Sequence, residues 1–485
     1  MAASTAPHDL DALLAGLRAA LGDGAVRVPT EAEPLAEHLL DWRQRYRGRA
    51  LAIVLPRSTA EVAQVVTLCA RHGASLVPQG GNTSLVGGSV PDTSGHQVVL
   101  SLARMRQVLS VDAANLSMTV QAGCVLAQAQ EAAAAQDLLF PLSLASEGSC
   151  TIGGVLATNA GGTQVLRYGT ARELCLGLEV VTAQGEVWHG LKGLRKDNTG
   201  YDLRDLIVGS EGTLGIITAA TLRLYPRPAG MATALLRCAT PADAVALLGL
   251  ARQRLDASLS ACELMAPLPL ALVRTHVPEA ASVLSAWPDA TTDWTVLLEC
   301  SSPQSDTEAT QGLNTVLEQA IEAGWVRDGI VATSTRQSQA MWRLREAIPM
   351  AERTEGRMVK HDIGMPTSVV PDFISHMGPV LRTRWPDSTV VCFGHLGDGN
   401  LHYNVQPPAN ARAGEAFNAF EHEVNALVFD AVQQRGGTLS AEHGIGALRK
   451  DELARRQDPV AMALMRRIKQ VFDPQGVLNP GRVLD

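Results

Sequence analysis

Leu10, Leu13, Leu14, Leu17 and Leu21 recur at three- and four-residue spacing, the pattern of one apolar helix face, so the chain is predicted to open with an amphipathic helix. From Ala50 the pattern shortens. LAIVLP reads as a strand, STAEVAQVVTLCARHG as a helix and ASLVPQGG as a second strand. Ser58 or Thr59 is placed to cap that helix, with Glu61 in its first turn and Gly73 at its end. Further strands are predicted at Val98–Ser101, Ser117–Ala122, Leu176–Thr182 and Gly215–Tyr225, joined by glycine-rich connections. From Ala229 to about Arg336 glycine thins out, and helical ADAVALLGLARQRL alternates with strand-like WTVLLEC, which points to a boundary near Pro226–Pro228.

A chain of 485 residues exceeds what one core organises, so two or three domains are expected. Net charge −8 argues against a nucleic-acid partner, which would need a basic surface, and leaves small molecules or proteins. The eight cysteines form no CxxC pair and sit among apolar neighbours, as buried thiols do in a reducing compartment. Met1 to Leu21 lacks a continuous apolar core and carries Asp9 and Asp11, so no secretory signal is read there. No apolar run approaches the roughly 20 residues of a transmembrane helix. A cytoplasmic location is expected, with peripheral membrane contact left open.

Three segments concentrate glycine with small polar residues: PQGGNTSLVGGSVP (78–91), EGSCTIGGVLATNAGG (147–162) and VGSEGTLGIIT (208–218). Glycine lets backbone approach a ligand and turn successive N–H groups toward phosphate oxygens. Each segment alone is more readily a tight turn. Three of them, each beside a strand, favour a cradle for a pyrophosphate-bearing cofactor. Neither GxxxxGK[ST] nor a strand-to-helix GxGxxG is present.

These runs, with RYGTARE and LGLEVVTAQGEV between them, closely resemble the FAD domain of the vanillyl-alcohol oxidase type over about Ala50 to Pro228. The resemblance implies pyrophosphate contacts from Gly80, Gly81, Asn82, Thr83 and Ser84. It implies flavin and ribityl contacts from Ser149, Gly153, Gly154, Asn159, Gly161 and Gly162, and adenosine contacts from Glu211, Gly212, Gly215 and Ile217. Covalent members often use a histidine in the first loop. Here Asn82 follows Gly80–Gly81 and offers no nucleophile, so noncovalent FAD is expected.

VCFGHLGDGNLHYNV (391–405) places two apolar arms around Asp398–Gly399, a signal for a two-residue type I′ hairpin. In that register Gly397 opposes Asn400, Leu396 opposes Leu401 and His395 opposes His402, with partner Cβ atoms about 4.5–5.5 Å apart. Asn404 shares their face. Paired imidazoles suit a shared metal ion; a polar hairpin whose histidines only make hydrogen bonds is the other reading. In GGTLSAEHGIGALRK a strand-like TLS leads to Glu442 and His443 among glycines, offering a third ligand and a proton acceptor, or else a solvated loop.

Together with MWRLREAIP (341–349), MVKHDIGMP (358–366) and the ending FDPQGVLNPGR, these segments resemble the FAD-linked D-2-hydroxyacid dehydrogenases, a group of D-2-hydroxyglutarate and D-lactate dehydrogenases and the glycolate oxidase flavin subunit. The resemblance implies His395, His402 and Glu442 as ligands of a divalent metal, zinc or alternatively manganese. It implies Arg345, Lys360, Asn404 and His443 at the substrate, His443 as the catalytic base, and Asn479 returning to the flavin. Two departures fall in the substrate segments. Pro349 stands four residues after the arginine where the hydroxyglutarate branch has threonine, and Gly364 stands in KHDIGMP where the common pattern has serine.

The implied fold is α+β. An N-terminal helical segment (1–48) precedes a two-subdomain FAD-binding domain (49–228). An antiparallel-sheet substrate- and metal-binding domain flanked by helices follows (229–450), and a C-terminal helical segment (451–485) packs back on the FAD domain. The expected function is FAD-dependent, metal-assisted oxidation of an (R)-2-hydroxy acid, D-2-hydroxyglutarate first, with D-lactate, D-malate or glycolate as alternatives. Electrons would pass to an acceptor such as electron-transfer flavoprotein or a quinone. A flavin-dependent alkyl transferase and a noncatalytic flavin subunit are the readings of another class.

Overall fold

The computed structural model describes residues 10–287 and 292–485; the first nine residues of the expected N-terminal segment lie outside them. The chain divides into two compact units. Unit 1 takes residues up to Gly161, Thr170–Arg227 and Glu442–Asp485, and unit 2 takes Gly162–Gly169 and Pro228–Ala441.

Unit 1 begins its first sheet with β1 (Val26–Arg27), β2 (Ala50–Val54), β3 (Leu76–Gln79) and β4 (Gln97–Ser101), ordered β1-β2-β4-β3. β4 runs parallel to both β2 and β3. The crossover from β2 to β3 is the helix Thr59–Arg71, whose N-terminus is satisfied by Ser58 Oγ accepting from Glu61 N–H. The helix buries Val62, Val65, Val66 and Cys69, and Gly73 follows it with φ 69°. A second group comprises β5 (Val108–Asp112), β6 (Ser117–Gln121), β7 (Leu138–Leu139), β8 (Cys175–Val181), β9 (Val187–Gly190), β10 (Ile216–Arg223) and β11 (Tyr225–Pro226). Five of these form an antiparallel sheet, β5-β6-β10-β8-β9, while β7 pairs with β11. The chain end returns to the first sheet: Leu76 N–H donates to Val477 O at 2.7 Å and Asn479 N–H to Leu76 O at 2.8 Å, so residues 477–479 run beside β3.

Unit 2 is built on one seven-stranded antiparallel sheet. Its strands are β12 (Gly230–Cys238), β13 (Leu259–Met265), β14 (Trp294–Ser302), β15 (Asp328–Val331), β16 (Asp362–Gly364), β17 (Thr389–His395) and β18 (Asn400–Gln406), ordered β15-β12-β14-β13-β17-β18-β16. Period-two alternation sorts the side chains. Cys262, Leu264, Val296, Leu298, Cys392, Leu401, Tyr403 and Val405 enter a core with the helices Pro241–Leu255, Asp306–Glu322, Val370–Arg384 and Gly414–Gln434. The opposite face packs Leu235, Met265, Leu297, Val391 and Phe393 against the helices Pro267–His276, Thr335–Glu346 and Ile348–Thr354. Each fully buried Leu, Val or Phe contributes about 1.5–3 kcal/mol.

Two stretches fall outside the units to which the sequence boundaries assign them. Residues 442–450 cluster with unit 1, because Val86 O accepts from Ala447 and Leu448 N–H at 2.9 and 3.1 Å. Residues 162–169 cluster with unit 2, where Arg167 hydrogen-bonds Ser301 and Leu166 packs on the core. Nor is TLS a strand: Thr438 forms only an isolated bridge to Gly364. All eight cysteines are free and buried, and burial pushes the Cys69 and Cys392 thiols up to about 12. Among the described residues no helix is long and apolar enough to cross a membrane.

Candidate functional site

The three glycine-rich segments and the chain end meet within unit 1. A Cβ on Gly80 would lie 2.3 Å from Thr151 Oγ1, and one on Gly81 would lie 2.0 Å from Ser149 O, so the first two segments approach at a distance only glycine permits. Asn82, at φ 53°, holds its loop through its side chain: Nδ2 donates to Glu37 O and Leu40 O, each at 2.9 Å, and Oδ1 accepts from Ser89 Oγ. Thr83 and Ser84 follow in that loop. Asn159 Oδ1 accepts from Thr170 Oγ1 and Arg172 N–H, bracing the end of the second segment. Glu211 N–H donates to Ala157 O at 2.8 Å, which ties the third segment to the second. Gly215 and Ile217 continue from there into β10, and Asn479 Nδ2 bridges Gly88 O and Glu211 O at 3.0 and 2.8 Å. Gly161 closes the second segment in unit 1, while Gly162 begins the excursion into unit 2.

Thr151 Oγ1, Ser210 Oγ and Asn479 Oδ1 are buried in this cradle without a protein partner. An unsatisfied buried polar atom costs about 1–3 kcal/mol, which a bound polar cofactor offsets. The donor-rich, close-packed loops therefore fit FAD.

The Glu211 side chain serves another purpose. Its carboxylate oxygens accept from Ile445 N–H at 2.7 Å and Gly446 N–H at 2.8 Å, clamping the loop that begins with Glu442 and His443. Burial pushes this carboxyl up to about 6, against the opposing pull of the two N–H donors and of Arg449 and Arg482. Glu211 thus reaches the last segment of the chain through its carboxylate and the second segment through its backbone.

In unit 2 the β17–β18 hairpin corrects the two-residue register. Phe393 opposes His402, Cys392 opposes Tyr403 and Val391 opposes Asn404, so the connection is the four-residue turn 396–399. Asp398 Oδ1 accepts from Asn400 N–H, and Gly399 takes φ 78°, where a Cβ would meet Met365 O at 2.0 Å. The Asp-Gly signal located the turn but not its length. The slip changes the pairing by two residues, and a two-residue slip preserves the face. His395, His402 and Asn404 therefore still share one face, with His395 and His402 diagonal and their ring centroids 5.7 Å apart at 78°.

Around this face lie two buried carboxylates that the sequence reading missed. Glu263 accepts from His395 Nδ1 at 2.7 Å and Arg345 Nε at 2.8 Å. Burial raises the Glu263 carboxyl, but His395 and then Arg345 outweigh it and hold the group below its ordinary value. Glu352 accepts from Asn404 Nδ2 at 2.7 Å and forms an ion pair with Lys360. A lone acid in the apolar strand LSACELM was the available signal for Glu263, since a buried charge requires partners. Glu352 sits in AERT on an amphipathic helix and carried no comparable mark. The Arg345 guanidinium also stacks 4.7 Å over Phe393, whose ring lies 4.9 Å from that of His402. A carboxylate behind a histidine, fixing its orientation, is the usual support of a metal-ligating imidazole, so the donor set fits a divalent ion.

Glu442 and His443 open the last segment of unit 1, immediately after Ala441, whose N–H donates to Asp362 O at 3.1 Å. Pro349 starts the helix Ile348–Thr354 and is exposed. Gly364 lies on β16, where a side chain would press on Thr438 and Ala441 at 3.1 and 3.4 Å.

A glycine-lined FAD cradle and a histidine-bearing antiparallel sheet in the same chain define a class, and the comparisons agree. The family "FAD linked oxidases, C-terminal domain" matches residues 227–483, and "FAD binding domain" matches residues 50–190. The chain belongs to the FAD-linked oxidases and is an FAD-dependent oxidoreductase. Among its relatives are the mitochondrial D-2-hydroxyglutarate dehydrogenase of Bos taurus, 39% identical over 94% of this chain and 81% of that protein. The D-2-hydroxyglutarate dehydrogenase of Xanthomonas citri pv. viticola is also 39% identical, over 95% of both chains. The fold is the α+β vanillyl-alcohol oxidase type: p-cresol methylhydroxylase matches with TM-score 0.75 at 17% identity, covering 99% of this chain and 98% of that one. An alkyldihydroxyacetonephosphate synthase matches with TM-score 0.72 at 19% identity, covering 97% and 84%.

Proposed function

We propose that this protein oxidises an (R)-2-hydroxy acid, D-2-hydroxyglutarate first, to its 2-oxo acid, with noncovalent FAD and a divalent ion held by His395, His402 and Glu442. The observation that carries this reading is the shared face of His395, His402 and Asn404, with Glu263 accepting from His395 Nδ1 behind it. In the neutral ring that hydrogen bond leaves Nε2 as the ligating nitrogen. Glu442 is one peptide bond beyond Ala441, which is itself anchored to Asp362 on β16. The names of the near-full-length relatives support the substrate.

FAD, when bound, supplies the hydride acceptor. A divalent ion supplies Lewis acidity to the substrate hydroxyl, zinc and manganese both suiting mixed nitrogen and oxygen ligands. His443 accepts the hydroxyl proton, Asn404 orients the hydroxyl end, and Arg345 and Lys360 face substrate carboxylate. The carbon–hydrogen bond at C2 breaks as a carbon–oxygen double bond forms, so two electrons and two protons' worth of hydrogen leave the acid. Asn82 has no nucleophilic atom, and its amide is already committed to Glu37, Leu40 and Ser89. Electrons leave to an external acceptor, electron-transfer flavoprotein or a quinone. Pro349 and Gly364 depart from the hydroxyglutarate pattern and keep D-lactate, D-malate or glycolate as the second reading.

Anaerobic stopped-flow reduction of the bound flavin by D- and L-2-hydroxyglutarate, D- and L-lactate, malate and glycolate, with and without chelator, tests the proposal. Fastest reduction by D-2-hydroxyglutarate, abolished by chelator, is expected. No reduction by any hydroxy acid would remove the dehydrogenase reading and leave the alkyl-transferase or noncatalytic alternatives.

A further inference from the structure

Glu263 is 1% exposed in the middle of the seven-stranded sheet, where the order β14-β13-β17 sets it opposite His395. Its two oxygens are divided: Oε1 accepts from His395 Nδ1 at 2.7 Å, and Oε2 from Arg345 Nε at 2.8 Å. A carboxylate can only accept, so it fixes the proton of His395 on Nδ1. Holding Arg345 by Nε leaves the two terminal nitrogens of the guanidinium fork to address a carboxylate. The guanidinium carbon lies 4.7 Å over the Phe393 ring, which packs against it.

We propose that Glu263 is a positioning residue that couples metal affinity to substrate-carboxylate binding, one oxygen aiming His395 at the ion and the other aiming Arg345 at the acid. This inference rests on the proposed roles of His395 and Arg345. Two ligands of different chemistry then share one rigid, buried support, so disturbing it weakens both together. A merely structural ion pair would change stability and leave metal affinity alone.

FAD-loaded, full-length Glu263→Gln and Glu263→Asp are to be titrated with Zn²⁺ against a chromophoric chelator, and their KM and kcat measured with D-2-hydroxyglutarate. Glutamine offers one acceptor oxygen and turns an NH₂ group toward the second donor, so it cannot serve both partners. Loss of the support behind a ligand typically weakens metal binding about 10–100-fold. That loss is expected in Glu263→Gln, together with a raised KM and unchanged FAD content, and partial recovery of both in Glu263→Asp. Wild-type Zn²⁺ affinity in a folded Gln variant would overturn the proposal, as would a change in KM alone. Should the Gln variant not fold, wild-type Zn²⁺ affinity and KM in the Asp variant overturn it, and a joint loss upholds it. A wild-type protein that takes up no divalent ion would instead defeat the metal reading beneath it.

Discussion

His395 stands diagonally across the β17–β18 hairpin from His402, their rings 5.7 Å apart and nearly perpendicular. Direct cross-strand partners would bring the side chains closer; the diagonal leaves space between rings that still share a face. Alanine at either position is expected to abolish stoichiometric metal binding and slow flavin reduction by at least about 100-fold. FAD content is expected to stay normal, because the cradle lies in unit 1. Metal analysis paired with stopped flow checks this, and a metal-free variant that reduces flavin normally would refute the ligand assignment.

Removing the Arg345 side chain leaves the Glu263 carboxylate buried without its cationic partner. Arg345 is 6% exposed and Glu263 1%, and breaking a buried pair from one side costs about 3–5 kcal/mol. Arg345→Met is expected to lower the urea midpoint accordingly and to raise KM. A midpoint within error of wild type would mean that Glu263 is relieved in another way.

The Glu211 carboxyl is raised to about 6 from its ordinary 4.5. The folded state therefore binds this proton more tightly than the unfolded chain, and the stabilisation is full below about pH 4.5 and disappears as pH rises through about 6. The size of the shift corresponds to about 2 kcal/mol. Over that window the wild type should lose stability relative to Glu211→Gln, which does not titrate. Parallel denaturation curves of the two proteins from pH 4.5 to 7 measure the difference; a gap that opens in the other direction contradicts the assignment.

Acid precipitation of the holoprotein is expected to release all its FAD. In Asn82→Ala the first loop loses its ties to Glu37, Leu40 and Ser89 and keeps an unfavourable φ of 53°. A loss of about 2 kcal/mol in loop stability is expected. It should appear as roughly 30-fold weaker FAD retention. Flavin remaining with the precipitate, or full retention by the variant, would contradict these two expectations respectively.

Local patterns carried much of this molecule. The helix after β2, its Ser58 cap and most strands of unit 1 follow from periodicity and glycine placement alone. So does the shared face of His395, His402 and Asn404, because alternation along a strand survives a two-residue change of register. The length of the 396–399 turn did not follow: Asp398–Gly399 marks a reversal, but Asp398 keeps negative φ and the strands stop pairing sooner than a tight turn requires.

The sequence by itself determined the glycine cradle, the absence of a nucleophile at position 82 and the facing of the two histidines, since each depends on residues close together in the chain. Only the tertiary structure decided what supports them. Glu263 and His395 are 132 residues apart and meet because β13 is inserted between β14 and β17. Glu211 holds a loop 234 residues further on. Strand order and burial are set by the packing of the whole core, and a buried carboxylate takes its partners from whatever that packing brings to it.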